Sequence, residues 1–423
     1  MTLRAIIFWI KDFINNRVVW NHYKQVLTTL NGNPNLKNEN EALQKLIEYS
    51  TSNVNFYKKY KGVGFECFPI INKQIIKENE IEFLSPLFNK ENLFVELTSG
   101  STGTPFVVYQ DTNKRKHSSA DTIAFSEKAG FKFGSKLYYS RVWNHKNKKS
   151  AIQQVIQNIY MIDSDKLTDS DLQNFINLLE NDKSNKSVLI FASTLTALYK
   201  YISKNNISVD AKISAFITMS ESLPDATKTG IKKVFSCPVV ARYSNSECGL
   251  IAQQDINNDY YILNSASFKV EILDIETDSI VKDGELGRIV VTDLYNYSMP
   301  LIRYDTGDLG VIEIKNGKRV LSRVDGRRID CIYSTSGSLL SPYVIINSMW
   351  QYQDILQYQF VQNEEKDYTL KLNCVPGFNQ EEEVLNVIKE YIGQDAKILI
   401  EYVDEIPLLS SGKRKQVINN YKK

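Results

Sequence analysis

The chain has 423 residues, of which 43% are hydrophobic and 24% are charged. That length exceeds the size at which a single hydrophobic core stops growing, so we expect at least two domains in a soluble globular protein. The formal net charge of +2 creates no global basic field, which argues against a nucleic-acid partner.

Cysteine and histidine are too sparse to suggest a metal centre. The five cysteines are scattered and form no Cys-x-x-Cys pair. This pattern is typical of reduced thiols, and we expect a cytoplasmic protein without a disulfide framework or structural zinc. The chain has three histidines. A site built on several imidazoles, or a histidine proton relay, is therefore not expected.

The first predicted element is an apolar segment from Leu3 to Ile10, which Arg4 interrupts and Lys11 ends. It is too short to cross a bilayer, and it does not resemble a secretory signal. Its apolar residues recur at helical spacing as far as Ile14. We expect a helix packed on the protein's own core. A peripheral contact with a membrane surface, helped by flanking basic residues, is the less favoured alternative.

The middle of the chain alternates short apolar runs with helical patterns. Strands are predicted over residues 188–192, 213–218 and 239–241, and helices over residues 194–204 and 224–235. This alternation is typical of βαβ units in a largely parallel sheet. Ligands of such sheets collect at the carboxyl ends of the strands, so polar residues that follow these strands are candidate site residues.

From Phe268 the pattern changes to an alternation of period two. Residues 268–273 and 288–292 read as strands on either side of a turn at residues 283–287. Because antiparallel strands can be joined by such short turns, we predict a small antiparallel or β-barrel-like segment after the α/β part.

The end of the chain reads as a separate α+β unit. Strands are predicted over residues 368–373 and 398–403. Between them lies an amphipathic helix over residues 381–392, with acidic residues in its first turn.

A charged stretch from Arg323 to Asp330 is the candidate boundary of this unit. We predict a large N-terminal domain over residues 1–327 and a small C-terminal domain over residues 328–423. About the first 90 residues carry no motif that we can assign.

A loop of small hydroxylated residues and glycines follows the apolar residues Leu93 to Val95. Its members are Thr98, Ser99, Gly100, Ser101, Thr102, Gly103, Thr104 and Pro105. Glycines let backbone N–H groups converge on an anion, and the hydroxyl groups add neutral donors, so the loop is a candidate phosphate site. It is not the usual P-loop, because no Gly-Lys-Ser/Thr ends it. By composition alone, an ordinary polar turn is the alternative.

Four later segments carry residues that could complete such a site. They run from Arg242 to Glu247, from Leu301 to Leu309, from Arg323 to Asp330 and from Ser410 to Lys415. Each has an ordinary alternative. Glu247 could pair with an arginine, Asp308 could cap a turn, and Lys413 could be a solvated charge. Their order and spacing, however, are hard to explain by chance.

Together these segments resemble the adenylate-forming superfamily, and within it the phenylacetate-CoA ligase and CapK-like branch. The matching motifs are the loop from Thr98 to Pro105, Tyr243-x-x-Ser246-Glu247, Gly284-Glu285-x-Gly287-Arg288, Arg303-Tyr304-Asp305-Thr306-Gly307-Asp308, Gly326-Arg327-x-x-Asp330 and Ser411-Gly412-Lys413. An ordered set of motifs across roughly residues 90–423 is far more specific than any single match.

The resemblance implies an α/β fold. Its large N-terminal adenylate-forming domain would have βαβ layers and a small β-barrel-like segment. A small mobile α+β domain at the C-terminus would carry the catalytic lysine. Mobility matters because one pocket can serve two successive reactions if the small domain swings between them.

The resemblance also implies catalytic and phosphate-binding roles. The β- and γ-phosphates of ATP would be bound by Thr98, Ser99, Gly100, Ser101, Thr102 and Gly103. Glu247, together with a hydroxyl of Thr102 or Ser246, would place Mg²⁺. Lys413 would bridge the incoming carboxylate and the α-phosphate during adenylation.

For the nucleoside, the resemblance implies a further set of contacts. Tyr243 would pack near the adenine, with Ser220 and Glu221 at its edge. Asp308 would accept hydrogen bonds from the ribose hydroxyls, and Arg323 would support it.

The acyl site is implied at Tyr139, Arg141 and Trp143. Aromatic residues at such positions could equally belong to the core. Arg141 could hold a second carboxylate or a sugar phosphate. Two positions depart from the family pattern. Ile329 stands where an acidic residue or lysine often marks the hinge, and Phe106 stands where many relatives carry a lysine.

We therefore expect an AMP-forming ligase that activates a carboxylic acid with ATP and Mg²⁺. An ionised carboxylate needs no general base, and the site has only to supply cations where negative charge develops. The CapK-like resemblance implies capsule or O-antigen polysaccharide biosynthesis, with an amine of an amino sugar or amino acid as acceptor. An aryl- or acyl-CoA ligase, with CoA as acceptor, is the alternative within this class. A nucleotide-binding scaffold without turnover is the alternative from another class.

Overall fold

The structure is a computed structural model, and it describes residues 2–32, 36–98, 106–141, 143, 148–164, 168–349, 351–352, 354–407 and 414–421. The expected phosphate-binding residues Ser99, Gly100, Ser101, Thr102 and Gly103, and the expected catalytic Lys413, lie outside these ranges. Within the described part, none of the helices combines the length and apolar content that crossing a bilayer requires.

Short helices occupy the region before the first strand, where the sequence carried no motif. They are α1 (Leu3–Ile14), α2 (Val18–Leu30), α3 (Leu36–Asn53), α4 (Lys73–Glu78) and α5 (Glu80–Phe83). The buried carboxylate of Asp12 accepts hydrogen bonds from the backbone N–H groups of Val19 and Trp20, at 3.1 and 2.8 Å. It thereby satisfies free donors at the start of α2 and joins the first two helices.

Helix α1 packs through a face that the sequence did not predict. Its contact with the rest of the protein uses Ala5, which is buried, and the rings of Phe8 and Trp9, which meet Phe133. The expected core-facing residues are instead exposed: Leu3 by 73%, Ile6 by 41%, Ile7 by 59%, Ile10 by 56%, Phe13 by 58% and Ile14 by 74%. The predicted helix is therefore present and packs on the protein, but it does so through its aromatic face, and the apolar stripe that predicted it stays exposed.

The first two strands form an antiparallel hairpin that brackets the candidate phosphate loop. Strands β1 (Phe94–Thr98) and β2 (Phe106–Gln110) pair so that Thr98 is opposite Phe106. The far end of the hairpin is anchored to the large sheet, because Gln110 Nε2 donates to the backbone oxygen of Glu247 at 3.1 Å.

Eleven further strands form one large sheet. They are β3 (Lys136–Arg141), β4 (Ile159–Asp163), β5 (Lys186–Phe191), β6 (Ile213–Met219), β7 (Val239–Asn245), β8 (Gly249–Gln254), β9 (Tyr261–Leu263), β10 (Phe268–Leu273), β11 (Leu286–Asp293), β12 (Tyr304–Lys315) and β13 (Lys318–Arg327). The strand order is β10-β11-β12-β13-β9-β8-β7-β6-β5-β3-β4. Strands β3 to β7 pair in parallel, and from β7 onwards each pair is antiparallel. The predicted change from βαβ units to antiparallel strands is therefore confirmed, but it begins at β8, before the predicted start at Phe268, and the antiparallel strands continue the same sheet.

Helices cover the large sheet and bury its parallel half. They are α6 (Thr112–Lys128), α7 (Ala151–Gln157), α8 (Asp169–Asn181), α9 (Ala192–Lys204) and α10 (Asp225–Phe235). One core lies between α8, α9 and α10 and the central strands, where Leu179, Leu198 and Ile231 share a cluster with Val188 and Phe216. Burying such side chains stabilises each by about 1.5–3 kcal/mol. The parallel strands are therefore held firmly, and with them the loops at their ends.

The C-terminal unit has its own sheet and core. Its elements are β14 (Ile332–Tyr333), β15 (Leu339–Leu340), α11 (Pro342–Met349), β16 (Ile355–Gln362), β17 (Asp367–Cys374), α12 (Glu381–Ile392), β18 (Lys397–Tyr402) and β19 (Val417–Asn419). The four-stranded sheet has the order β18-β17-β16-β19. The predicted α+β character is confirmed, while the boundary at residues 327 and 328 stays a prediction.

One lysine joins the two units in this arrangement. Lys200 on α9 donates from Nζ to the backbone oxygens of Tyr352 and Ile355, at 3.1 and 2.9 Å. Burial at this contact lowers the pKa of Lys200 to about 8. Neutralising this ammonium therefore requires far less alkaline conditions than neutralising an ordinary lysine.

A buried polar cluster lies beneath α2 and α6. His22 Nε2 lies 3.1 Å from Asp121 Oδ1 and 2.7 Å from Ser267 Oγ. The ring of His117 stacks on Tyr295, with centroids 3.7 Å apart and an interplanar angle of 17°. These residues satisfy one another inside the protein, so their role is structural.

His117 of this cluster predicts that the free energy of unfolding depends on pH in the acid range. Burial and then the nearby charge of His22 lower the pKa of His117 from 6.5 to about 3. The unfolded chain therefore binds more protons than the folded chain between these values. The free energy of unfolding should fall as the pH falls from 6.5 towards 3, by about 1.4 kcal/mol per pH unit from this one group. Above pH 6.5 the group adds no slope.

Urea unfolding at a series of pH values checks this expectation. In His117→Phe, a ring that does not titrate can still stack on Tyr295. The variant should show a shallower loss of stability in acid than the native protein. Parallel plots of unfolding free energy against pH would show that His117 does not titrate in this way.

Candidate active site

The candidate site lies at the carboxyl edge of the parallel strands. Arg141 ends β3, Ser220 follows β6, and Glu247 follows β7. Because parallel strands end at the same edge of a sheet, the fold brings these residues to one side of the molecule although they are far apart in sequence.

Glu247 is the central carboxylate of this edge. It sits in the tight turn between β7 and β8, and its side chain is only 2% exposed. Two groups contact the same oxygen, Oε1: the ammonium of Lys73 at 2.7 Å and the hydroxyl of Tyr304, which donates at 3.1 Å. The Lys73 side chain is 37% exposed, so one member of this ion pair faces solvent and the other is enclosed.

Asp308 on β12 forms the second half of the site. It accepts a hydrogen bond from the hydroxyl of Tyr243 at 2.9 Å, and that hydroxyl also lies 3.2 Å from Thr306 Oγ1. Burial raises the pKa of Asp308, while the Tyr243 hydroxyl and the charges of Arg327 and Lys73 act in the opposite direction. The charge of Lys73 therefore acts on both carboxylates, through an ion pair with Glu247 and by opposing the rise in the pKa of Asp308.

The register between β12 and β13 decides which arginine faces Asp308. Asp308 is paired with Arg327, whereas Arg323 is paired with Val311 further along the strand. The guanidinium of Arg323 instead contacts Asp325, at 2.9 Å. A ribose-supporting role for Arg323 stays a prediction, and Arg327 is the arginine that the register places beside Asp308.

Other residues predicted to bind the nucleoside occupy the same edge. Ser220 has a φ of +70°, a left-handed conformation that turns the chain sharply after β6. The carboxylate of Glu221 accepts from the backbone N–H of Ser193 at 2.8 Å, at the start of α9. Ser246 is exposed in the turn beside Glu247. Glu221 thus already has a structural partner.

The three residues predicted for the acyl site are brought together. The guanidinium of Arg141 lies 5.8 Å from the ring centroid of Tyr139 and 5.5 Å from that of Trp143. The two rings meet edge to face at 5.1 Å, and Trp143 Nε1 donates to the backbone oxygen of Ile162 at 2.8 Å. Within the described residues, the buried Nε of Arg141 has no acceptor. This cluster can therefore offer an aromatic wall and a cationic donor.

Sequence reasoning missed three residues of the site. Tyr304 and Arg327 lie inside motifs that were recognised, but neither was given a role there. Lys73 lies on α4, in the region without any motif, and it is 174 positions from its partner Glu247. A lysine at the start of a short helix carries no sequence signal for such a contact.

The residues present suit a magnesium ion bound together with a nucleotide. Within the described part of the chain, no group of three or more His, Cys, Asp or Glu residues could hold a metal alone. Mg²⁺ in nucleotide sites is usually held by one or two carboxylates together with substrate phosphates. The enclosed carboxylate of Glu247 fits that mode.

Two sequence comparisons show which known proteins the chain is similar to. Residues 332–420 match the family described as the CapK C-terminal domain. The chain is 24% identical to Protein CapK of Staphylococcus aureus over 441 aligned positions, which cover 97% of this chain and 95% of that protein.

Solved structures share the fold. A 2-hydroxyisobutyryl-CoA ligase in the postadenylation state, in complex with R3-HIB-AMP, superimposes with a TM-score of 0.70, at 15% identity over 90% of this chain and 88% of that one. O-succinylbenzoate coenzyme A synthetase of Bacillus subtilis, in complex with AMP, has a TM-score of 0.55 at 17% identity, over 76% and 67% of the two chains. The predicted resemblance to CapK is thus confirmed, for residues 332–420 by the domain family and along the chain by the likeness to Protein CapK. The solved structures show that the chain shares the fold of these ligases.

Proposed function

We propose that this protein is an ATP-dependent, AMP-forming ligase that activates a carboxylic acid as its acyl-adenylate. The observation that supports this most is that the fold places two carboxylates, each with a cation beside it, in one site. Glu247 is paired with Lys73, and Asp308 accepts from Tyr243 and is opposite Arg327. Such a site suits a nucleotide with its metal, because the carboxylates can face the metal ion and the cations can face the phosphates.

The proposed chemistry has two steps. A carboxylate oxygen of the acid attacks the α-phosphorus of ATP, and the bond to pyrophosphate breaks. An acceptor nucleophile then attacks the acyl carbon, and AMP leaves. Mg²⁺, when bound, would neutralise phosphate charge. Lys413 would approach the α-phosphate, and Lys73 can turn its exposed ammonium from Glu247 to a phosphate oxygen.

Two acceptors are proposed for the second step. The first is an amine of an amino sugar or amino acid, giving an amide in capsule or O-antigen polysaccharide synthesis, as the CapK-like resemblance implies. The second is the thiol of CoA. A structural neighbour, 2-hydroxyisobutyryl-CoA ligase, is described in complex with 2-HIB-AMP and CoA in a thioesterification state.

Pyrophosphate release with a panel of carboxylic acids tests the proposal. We expect ATP- and Mg²⁺-dependent release with at least one acid, and an acyl-AMP that can be trapped when no acceptor is present. Amino sugars, amino acids and CoA added to the trapped intermediate then identify the acceptor. If ATP binds and no acid gives release, a non-catalytic nucleotide-binding scaffold is the better description.

Arg141 predicts the class of acid. Its buried Nε has no acceptor among the described residues. The positive charge of Arg141 also acts on the ammonium of Lys149. Burial, and then the charge of Arg141, lower the pKa of Lys149. Two cations held near each other favour an anionic ligand, so we propose an acid with a second negatively charged group.

The variant Arg141→Met tests this choice of substrate. It should raise KM for an acid with a second carboxylate or a phosphate by about 10- to 100-fold, because a charge-assisted hydrogen bond is lost. The KM for a matching monocarboxylic acid should change much less. Equal changes for the two acids would remove Arg141 from the acyl site.

A further inference from the structure

The described structure exposes an apolar surface on two neighbouring helices. We call this the α1–α7 surface. It consists of the six exposed apolar residues of α1 given above, together with Ile152, Val155 and Ile156 of α7, which are exposed by 72%, 67% and 66%. The two helices touch, because Arg4 Nε donates to the backbone oxygen of Val155 at 3.2 Å. Exposed apolar surfaces of this extent usually mark an interaction site.

The same surface includes a shallow groove. It has a volume of about 360 Å³ and runs between α1 and α2, where Ile6, Trp9, Ile10, Phe13 and Trp20 line it together with Arg17. Two indole rings, those of Trp9 and Trp20, thus line it among aliphatic side chains. Such amphipathic rings are enriched where proteins meet the boundary between lipid and water.

Basic residues border the surface. Arg4 and Lys11 are seven residues apart on α1, so they share one flank of the apolar stripe. The guanidinium of Arg17 lies 4.1 Å above the ring of Phe13, and the ammonium of Lys24 lies 5.9 Å from the ring of Trp20.

The sequence segments that form this surface contain almost no carboxylates. From residue 2 to residue 38 the only one is Asp12, which is 6% exposed and caps α2. Residues 148–157, which include α7, contain Lys148 and Lys149 and no carboxylate. The exposed charges that these segments themselves carry are therefore all positive.

We propose that the α1–α7 surface docks on the surface of an anionic lipid bilayer. An apolar stripe with basic flanks places its hydrophobic side chains among the acyl chains while the cations reach the phosphates. A second copy of the chain fits less well. A two-fold contact through this surface would bring the basic residues of α1 in the two copies together, and α1, α2 and α7 carry no exposed carboxylate to pair them.

Flotation of the full-length protein with lipid vesicles tests this proposal. Vesicles of phosphatidylcholine with a quarter phosphatidylglycerol should carry the protein at low salt, and pure phosphatidylcholine vesicles should carry far less. The variant Ile7→Glu/Ile10→Glu should weaken binding at least about tenfold, because it puts carboxylates where acyl chains would lie. Arg4→Gln/Lys11→Gln, which leaves every apolar residue in place, should weaken it by about tenfold or more.

A matched control replaces apolar residues of similar exposure elsewhere. Ile280→Glu/Leu356→Glu changes side chains that are 60% and 57% exposed, and it should bind vesicles as the native protein does. All variants should keep native circular dichroism and unfolding midpoints. Failure of the native protein to bind anionic vesicles would overturn the proposal. So would a native dimer in light scattering that Ile7→Glu/Ile10→Glu converts to monomer, because a second copy would then cover this surface.

Discussion

Replacing Lys413 with alanine should lower the rate of acyl-adenylate formation by at least about 100-fold, with the Kd for ATP changing less than about threefold. The physical reason is that the carboxylate and the α-phosphate are both anionic, and their repulsion is greatest as the new bond forms. A cation that reaches both groups at that moment stabilises the transition state more than the bound substrates.

Rapid-quench measurement of acyl-AMP, combined with calorimetric titration of ATP, separates these two effects. Lys397→Ala is a suitable control, because that lysine is also in the C-terminal unit and its side chain is 79% exposed. It should leave both quantities near the native values. An equal loss of ATP affinity and of rate in Lys413→Ala would show that the lysine binds the nucleotide in its ground state.

Replacing Asp308 with alanine should weaken ATP and AMP binding by about 10- to 100-fold, because hydrogen bonds from the ribose hydroxyls to a carboxylate are lost. Asp308→Asn should be milder, since an amide oxygen still accepts from a ribose hydroxyl and from Tyr243. In Asp308→Ala the Tyr243 hydroxyl loses the acceptor that lies 2.9 Å away in the native protein.

Titration of AMP into each variant measures this effect. Asp283→Ala is the matched control, because it removes an exposed aspartate from a turn of the same part of the chain. The rate of adenylation at saturating ATP should fall much less than the affinity. Unchanged nucleotide affinity in Asp308→Ala would contradict the ribose assignment. Arg327 and its neighbours would then be the next residues to test for a ribose contact.

Several elements were predictable because their pattern is local. The strand at Phe268–Leu273 and the helix at Glu381–Ile392 were predicted with the bounds that the structure has. In both, the apolar spacing and the flanking residues favour one structure without help from distant parts of the chain. The order of the motifs likewise supported the resemblance that named Glu247 and Asp308 as candidate site residues.

The interpretation of α1 shows where such reasoning fails. Its apolar stripe predicted burial, but Phe8 and Trp9 make the contact with the protein, and Ile7 and Ile10 remain exposed. Periodicity shows that a helix has an apolar face; it does not show what that face meets. A stripe that packs inside a domain and a stripe that docks on another surface have the same spacing.

The sequence by itself determined the βαβ order, the antiparallel strands that follow it and the α+β end of the chain. It also named Glu247 and Asp308 as candidate site residues, through the family resemblance of their motifs. The tertiary structure alone decided that Lys73 pairs with Glu247, that Arg327 and not Arg323 faces Asp308, and that α1 presents its aliphatic side chains outward. The physical reason is common to the three. Strand register and helix docking are set by the sum of many weak contacts between distant segments, and no short run of residues contains that sum.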